Sequence, residues 1–594
     1  MQPPCAHLAF AGFIALASAT TKPDRPKLDD FDWTTITPSR KLEYHPCYTE
    51  FQCARLVVPL DWLNESNPHT VALAITKLPA VIPETDPAFG GAVFANPGGP
   101  GGSGVGLMLA EGHVIQGTVD SETRKYEVVS WDPRAVQFTT PRADCYEDLF
   151  ARGVDANLRQ AIGPPDRSLD ALRRQWARFR GYGKLCTQNV GEASIIPYAT
   201  TASTVRDMVE MLDRVQELRD EESAARVGGG DKSQKPMRRR DGGDVPRLQY
   251  WGFSYGSFLG NTFASMYPGR VGRVMLDGVV DAGDYVNGGW STDLQDTEEL
   301  IDFFYQTCFA AGSKCALNRA SDAKWQDVRS RVDDLVTRLD EAPVSILDGK
   351  LTNILTGYDV INAFRGPMYR PHTEFVSLAT QLNSAVEGNY TALLRSQTQN
   401  VPPLEKACDA RNGTFPPSTL GEGGQSILCG DAEDKRNWTL ADFRDWVSML
   451  TDQSPTFAGS WSQIILACMA WDVRPKWRFT GPFTTPEHDA SLVEGKPAAP
   501  VLFLSSRLDP VTPLRNAHKM SESHPGSVVL VQNSPGHCAG ETGSRCTSKV
   551  IQEYLEHGRL PEKGTVCEPD CSPWDGHACL PSTQGITVAA MDGY

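Results

Sequence analysis

Gly252-Phe253-Ser254-Tyr255-Gly256 has the pattern G-x-S-x-G and lies between a short apolar run and a stretch of helical character. In such a strand–turn–helix connection the turn is so tight that the positions flanking the serine must be glycine. The serine is presented at the N-terminus of the helix, where the helix dipole favours developing negative charge. The pattern therefore predicts that Ser254 is the nucleophile of an acyl-transfer reaction.

A serine nucleophile needs a histidine base and an acid that orients the histidine, and in this arrangement they follow in the order serine, acid, histidine. Asp509 follows a predicted strand at 501–505, and His537 follows the next one at 527–531. Functional groups of open α/β sheets gather at the carboxyl ends of strands, so we predict that Asp509 and His537 complete a triad with Ser254. The alternatives by residue type are Asp277, His518, His524 and His557.

The glycine-rich stretch ANPGGPGGSG, residues 95–104, follows another apolar run. Acyl transfer needs two N–H donors for the oxyanion, one from the residue after the nucleophile and one from a glycine-rich loop after a strand. We therefore predict an oxyanion hole formed by Tyr255 and Gly99. The same loop contains G-x-G-x-x-G, the fingerprint of a dinucleotide-binding turn, at Gly99, Gly101 and Gly104. Pro100 lies inside that motif and no second nucleotide-binding half is visible, which disfavours a dinucleotide site.

The elements that must position these residues are short β-branched runs bounded by turn residues. Such runs occur at 54–60, 70–75, 91–96 and 126–131, and again at 248–251, 273–278, 501–505 and 528–531. A helix is predicted from Thr204 to about Asp220, because its apolar residues recur at helical spacing. Strands interleaved with helices predict an α/β fold with a mostly parallel sheet.

The predicted strands are interrupted, which suggests a core domain with a large inserted cap. Residues 281–494 have mainly helical periodicity, so we predict a core at 20–280, a helical cap at 281–494 and a second core part at 495–560. Residues 221–244 lack periodicity and are predicted to be a flexible loop. The end, 561–594, is predicted to be a cysteine-containing tail.

The first nineteen residues are predicted to be a secretory signal peptide, because an apolar stretch at 8–16 precedes Ala17-Ser18-Ala19. The alternative is an irregular start to a cytosolic protein. Of fifteen cysteines, Cys5 lies in this segment and fourteen remain, an even number that suits disulfides. No pair of C-x-x-C motifs has zinc spacing, so we expect no metal. Close spacings suit the local bridges Cys47/Cys53, Cys308/Cys315 and Cys538/Cys546.

Composition narrows the set of partners. With 40% hydrophobic and 22% charged residues the chain is typical of a globular protein, and its net charge of −16 argues against nucleic acid or an anionic membrane as partner. Outside the signal no apolar run is long enough to span a membrane. Four N-x-[ST] sequons predict glycosylation of an extracellular protein, at Asn64, Asn389, Asn412 and Asn437.

Three long stretches, placed in this order, resemble the secreted tripeptidyl aminopeptidase and prolyl aminopeptidase family of α/β-hydrolases. They are FANPGGPGGSG, WGFSYGSFLGNTFASMYPGRVGRVMLDGVVD, and VLFLSSRLDPVTPLRNAHKM with GSVVLVQNSPGHC after it. The resemblance implies an α/β-hydrolase core, a Ser254–Asp509–His537 triad, and a cap that binds a substrate's free amino terminus. In one departure, Asp132-Pro133-Arg134 is followed by Ala135 where the family often has glycine.

The leading hypothesis is a secreted serine exopeptidase that acts on peptides with a free N-terminus and needs no cofactor. The runner-up is a secreted carboxylesterase or lipase with the same triad, since a fold does not define the acyl substrate. A catalytically dead binding protein would have a damaged triad or oxyanion loop, and the sequence has neither. The residues that bind the amino terminus and the oligomeric state are not predicted.

Overall fold

The computed structural model describes residues 26–188, 190–228, 245–348, 351–398 and 422–575. Ten strands form one sheet in the order β1-β2-β3-β5-β4-β6-β7-β10-β11-β12. They are β1 (His45–Cys47), β2 (Phe51–Pro59), β3 (Thr70–Leu78), β4 (Phe89–Asn96), β5 (Lys125–Trp131), β6 (Leu248–Phe253), β7 (Val271–Asp277), β10 (Leu502–Leu508), β11 (Val528–Pro535) and β12 (Val566–Cys567). Two further strands, β8 (Val344–Asp348) and β9 (Leu351–Leu355), form a separate hairpin.

The sheet is antiparallel at one end and parallel from β5 onward. The chain passes from β4 out to β5 and then returns to β6 on the other side of β4, so the strand order reverses there. The carboxyl ends of β4, β6, β10 and β11 meet at one edge of the sheet. Ligand sites of open α/β sheets lie at such an edge, next to the reversal.

Helices cover both faces of the sheet, which explains why its strands are continuous apolar runs. Successive residues of one strand point to opposite faces of the sheet and join separate hydrophobic cores. Val93 and Trp251 belong to the core on one face, and Phe94 and Tyr250 belong to the core on the other. The core helices are α1 (Gly104–Val119), α2 (Leu149–Ile162), α3 (Leu169–Thr187), α4 (Thr201–Gly228), α5 (Tyr255–Met266), α16 (Leu514–Ser521) and α17 (Arg545–His557).

Between β7 and β10 lies the mostly helical insertion. Its described elements are the β8–β9 hairpin and α6 (Ala282–Asn287), α7 (Thr297–Ala311), α8 (Trp325–Glu341), α9 (Gly357–Asn362), α10 (Arg365–Tyr369), α11 (Pro371–Val386), α12 (Thr391–Thr398), α13 (Gly423–Asp431), α14 (Leu440–Gln453) and α15 (Ala458–Trp461). The insertion reaches the carboxyl edge of the sheet, because the Tyr369 ring contacts the His537 ring edge-on with centroids 5.0 Å apart.

The loop expected at 221–244 differs in part from the structure. Helix α4 runs from Thr201 to Gly228, so residues 221–228, expected in a loop, are helical. The rest of that expected loop, the signal peptide and most of the C-terminal tail lie outside the described residues. No described helix is long and apolar enough to cross a membrane.

The disulfides follow the expected pairing in two places and break it in one. Cys47–Cys53 and Cys308–Cys315 are bonded, and so are Cys145–Cys186 and Cys429–Cys468. The expected Cys538/Cys546 bridge is wrong, because Cys546 at the start of α17 bonds Cys567 of β12. Cys538 is instead a buried free thiol beneath Gly278.

Candidate active site

Ser254 occupies the sharp turn between β6, which ends at Phe253, and α5, which begins at Tyr255. Its backbone has φ 56° and ψ −126°, a conformation that non-glycine residues rarely adopt and that marks functional turns. The flanking glycines are required by space: a Cβ on Gly252 would lie 2.3 Å from the carbonyl oxygen of Gly256. Because the insertion covers the turn, the Ser254 side chain lies on the floor of a pocket and the residue is only 7% exposed.

Asp509 and His537 are brought together at the ends of β10 and β11. The Nδ1 atom of His537 lies 3.0 Å from each carboxylate oxygen of Asp509 and 3.1 Å from Oγ1 of Thr512. The Asp509 carboxylate also accepts the backbone N–H groups of Val511, Thr512 and Cys538. This carboxylate is therefore fixed from several directions and can orient the imidazole.

The electrostatics of the pair favour an ionised acid. Burial of Asp509 opposes ionisation, but the charge of His537 and the hydrogen bonds from His537 and from backbone N–H groups outweigh it. The pKa of Asp509 is therefore held below its usual value. A carboxylate next to the imidazole stabilises the imidazolium that forms when histidine takes a proton.

Asp277, the alternative acid, has a different set of partners. Its carboxylate accepts the backbone N–H groups of Ala539 (2.6 Å) and Gly540 (3.0 Å), two and three residues after His537. Its backbone carbonyl accepts the N–H of Ser254 at 2.9 Å. Burial raises the pKa of Asp277 to about 6. Asp277 thus ties the nucleophile turn to the loop of His537, while Asp509 contacts the imidazole.

The alternative histidines are engaged elsewhere or exposed. His524 is buried, with Nε2 3.0 Å from Oδ1 of Asn261 and Nδ1 3.2 Å from Oγ1 of Thr485. Burial lowers the pKa of His524 to about 4. His518 and His557 are exposed on α16 and at the end of α17. Of the four candidate histidines, the structure places His537 beside an acid at the strand ends.

The glycine-rich loop lies directly against the nucleophile turn. A Cβ on Gly98 would be 2.8 Å from Cβ of Ser254 and 3.0 Å from the backbone nitrogen of Tyr255. Gly98 and Gly99 have φ values of 92° and 114°, which favour glycine. Gly99 lines the pocket with Ser254 and Tyr255. The loop therefore meets the turn where two backbone donors for an oxyanion are needed.

The Asp132-Pro133-Arg134 turn supports this loop from behind. The hydroxyl of Ser103 in the glycine-rich loop donates a hydrogen bond to the Asp132 carboxylate at 2.7 Å. Arg134 forms a fully buried bidentate ion pair with Asp207. Ala135 has φ 72°, a left-handed conformation that favours the glycine which the resembled family often has there. The departure at Ala135 thus concerns backbone strain in a structural turn.

A pocket opens at Ser254, and its lining includes side chains that the sequence analysis did not single out. Part of its wall is aromatic, and the insertion contributes Tyr285, Trp290 and Trp461 to it. Three carboxyl side chains also line it: Asp281, Asp284 and Asp293. They lie up to 180 residues from Trp461 in sequence, so no local motif could have grouped them.

The three pocket carboxyls differ in their partners. Asp281 pairs with Lys519 at 2.6 Å, and Asp284 accepts four hydrogen bonds from Ser291 and Thr292. Asp293 accepts one, from Nε1 of Trp461 at 3.3 Å, and no cationic side chain among the described residues pairs with it. Burial, followed by the charge of Asp284, raises the pKa of Asp293 well above its usual value. Asp293 is thus a buried carboxyl whose capacity to bind a cation is unused.

Within the described residues, one group of side chains has metal-ligand spacing: Asp509, His537 and Cys538. Asp509 already bonds His537, and burial raises the pKa of the Cys538 thiol well above its usual value, which disfavours the thiolate that a metal needs. The group is therefore explained as a carboxylate–imidazole hydrogen bond next to a buried thiol.

The strand order, the serine turn after β6 and the Asp and His loops after β10 and β11 define an α/β-hydrolase, and the chain is a serine hydrolase. Residues 454–567 match a family model described as TAP-like protein. The chain is 24% identical to a tripeptidyl aminopeptidase of Streptomyces lividans, over 88% of this chain and 84% of that protein. These matches confirm the resemblance found in the sequence.

Two further relatives come from Mycobacterium tuberculosis. The serine protease Hip1 is 23% identical over 94% of this chain and 95% of its own length. A protein named carboxylesterase B is 24% identical over 87% of this chain and 86% of its own length. The similarity thus extends over the core and the insertion, and the names of the relatives include both peptidases and an esterase.

Proposed function

We propose that this chain is a secreted serine exopeptidase that releases short peptides or single residues from free N-termini. Ser254 attacks the scissile carbonyl, His537 accepts the serine proton and returns it to the leaving amine, and Asp509 orients the imidazole. The N–H groups of Gly99 and Tyr255 bind the oxyanion. Water then hydrolyses the acyl-enzyme, with His537 again acting as the base.

The observation that carries the proposal is Asp293 in the pocket beside Ser254. A buried carboxyl without a cationic partner is costly, and a bound ammonium group would pair with it. The α-ammonium of a peptide supplies that charge, while Tyr285, Trp290 and Trp461 offer apolar contacts to a substrate side chain. The relatives named tripeptidyl aminopeptidase and serine protease support peptides as substrates.

Secretion is supported by disulfides and sequons. Five described disulfides are typical of a protein that folds in an oxidising compartment. Asn64, Asn389 and Asn437 are exposed, as glycosylation requires, and Asn412 lies outside the described residues. Expression in a eukaryotic secretory host should give protein in the medium whose mass falls on endoglycosidase treatment. Protein retained in the cytosol with reduced cysteines would contradict this part of the proposal.

The runner-up is a carboxylesterase with the same triad, favoured by the apolar pocket wall and by the relative named carboxylesterase B. The test is a panel of fluorogenic substrates with one-, two- and three-residue acyl segments, each with a free and an acetylated N-terminus, and a short-chain ester. Cleavage of free-amine peptides alone supports the exopeptidase and gives its step length. Ester turnover with no peptide cleavage would replace it with the esterase.

Ser254→Ala tests the mechanism within the same panel. We expect it to abolish turnover of every substrate. Ser265→Ala is the matched control, because Ser265 lies near the C-terminal end of α5 and its hydroxyl donates to the backbone carbonyl of Asn261. Activity of Ser254→Ala equal to that of Ser265→Ala would overturn the mechanism for either substrate class.

A further inference from the structure

The first residues of helix α13 (Gly423–Asp431) in the insertion pack against the glycine-rich loop, residues 95–104. A Cβ on Gly101 would lie 2.5 Å from Cα of Gly424, and a Cβ on Gly423 would lie 2.3 Å from the carbonyl oxygen of Ala135. The backbones thus touch with no side chain between them. This places one end of an insertion helix directly behind the glycine-rich loop.

The other end of α13 carries Asp431, a buried carboxyl that serves as a hydrogen-bond acceptor. It accepts three hydrogen bonds. The donors are the backbone N–H of Thr201 at 2.9 Å, the hydroxyl of Thr201 at 2.6 Å and the hydroxyl of Tyr285 at 3.2 Å. Burial raises the pKa of Asp431 to about 6, so the group is a carboxylate at neutral pH. Its position is fixed by the Cys429–Cys468 bridge and by Arg478, which donates to its backbone carbonyl.

The hydroxyl of Thr201 connects this carboxylate to the residue after the nucleophile. Thr201 Oγ1 also makes a short hydrogen bond to the hydroxyl of Tyr255. A threonine hydroxyl has one proton, and the carboxylate can only accept, so that proton goes to Asp431. Tyr255 must therefore be the donor to Thr201. The result is a directed chain from Tyr255 through Thr201 to Asp431.

We propose that Asp431 and Thr201 are positioning residues for the oxyanion hole, acting through the side chain of Tyr255. The inference rests on the proposed role of the Tyr255 N–H. With its ring held at the hydroxyl end, Tyr255 at the first position of α5 keeps its N–H in a fixed direction. Since oxyanion donors act only when they are preorganised, loss of the chain should slow the chemical step while substrate binding persists.

Thr201→Val tests the chain, because valine has the same shape but cannot donate or accept. We expect kcat to fall about tenfold, since a donor displaced by a fraction of an ångström loses part of its effect, with KM changed less than twofold. Thr201→Ser retains the hydroxyl and should restore kcat. Thr204→Val is the matched control, because the buried Thr204 hydroxyl bonds back to the carbonyl of Thr200 in the same segment.

A double-mutant cycle tests whether Asp431 acts through Tyr255. Tyr255→Phe and Asp431→Asn should each lower kcat, and the double variant should be no slower than the worse single variant. Additive effects would contradict a chain. A Thr201→Val variant with a lower melting temperature, a raised KM and an unchanged kcat would show a structural tie alone and overturn the proposal. Failure of the nucleophile assignment is separate, because Ser254→Ala would then remain active.

Discussion

The Nδ1 atom of His537 lies 3.0 Å from both carboxylate oxygens of Asp509, whereas the Asp277 carboxylate at the end of β7 contacts backbone N–H groups. The two buried acids therefore have separable tasks. In the proposed mechanism Asp509 orients the base, and Asp277 holds the loop that carries this base against the serine turn. Activity and stability measurements can distinguish these tasks.

Asp509→Asn should lower kcat by about 10⁴-fold, because an amide can donate to Nδ1 and then fixes the wrong imidazole tautomer. Asp277→Asn preserves the shape of the Asp277 side chain and should lower kcat less than tenfold, while its main effect should be a lower free energy of unfolding. Steady-state kinetics on the best substrate of the panel measure kcat, and urea unfolding measures the free energy. Equal losses of kcat in the two variants would show that Asp509 has been wrongly assigned as the orienting acid.

Gly98→Ala should lower kcat about 100-fold, because its Cβ would lie 2.4 Å from the carbonyl oxygen of Phe253 and the φ of 92° is unfavourable for alanine. The glycine loop must then move away from the serine turn. Gly117→Ala is the control: Gly117 is exposed in α1 and its Cβ would meet nothing within 4 Å. The control should keep full activity and gain about 0.5–1 kcal/mol in free energy of unfolding, measured with urea. Comparable kcat values for Gly98→Ala and Gly117→Ala would contradict the close contact between the glycine-rich loop and the serine turn.

The strands of the core could be predicted because both faces of the sheet are covered, which leaves continuous β-branched runs in the sequence. The serine turn and the loops of Asp509 and His537 could be located for a related reason, since each directly follows such a run. The end of α4 could not, because residues 221–226 are largely exposed and have no apolar stripe. The helix nevertheless continues to Gly228, with Glu221 paired to Lys41.

The pocket was beyond sequence reasoning because its members meet only through the folded insertion. Asp293 and Trp461 are 168 residues apart, and their hydrogen bond depends on how α15 packs over the serine turn. The Cys546–Cys567 bridge illustrates the same limit. Spacing alone favoured Cys538, but the fold places that side chain under Gly278 and brings Cys546 to Cys567 of β12 instead.

Binding of a free-amine peptide should release up to one proton from Asp293. Burial and the charge of Asp284 raise the pKa of Asp293, so its carboxyl holds a proton more readily than an ordinary aspartate does. An ammonium group beside it favours the carboxylate and expels the proton. Calorimetric titration of the Ser254→Ala protein in buffers of different ionisation enthalpy measures this release.

Two controls define the proton-release experiment. The same peptide with an acetylated N-terminus has no ammonium group, and Asp293→Asn has no proton to lose, so the binding enthalpy should become independent of the buffer in both cases. For turnover, Asp293→Asn should raise KM for free-amine substrates at least tenfold. Buffer dependence that persists in Asp293→Asn would assign the proton to another group.

His524 should make the fold sensitive to mild acid. Burial lowers its pKa to about 4 in the folded state, against about 6.5 in the unfolded chain, so the unfolded chain binds a proton that the folded protein excludes. The free energy of unfolding therefore falls as pH decreases from 6.5 to 4, by up to about 3 kcal/mol from this group. Urea unfolding measures the free energy of unfolding at pH 7 and at pH 4.5. Between these two pH values it should decrease by roughly 2 kcal/mol less in His524→Gln than in the wild type. His518 is exposed, so His518→Gln should behave as wild type. An identical decrease in all three proteins would show that His524 does not carry the effect.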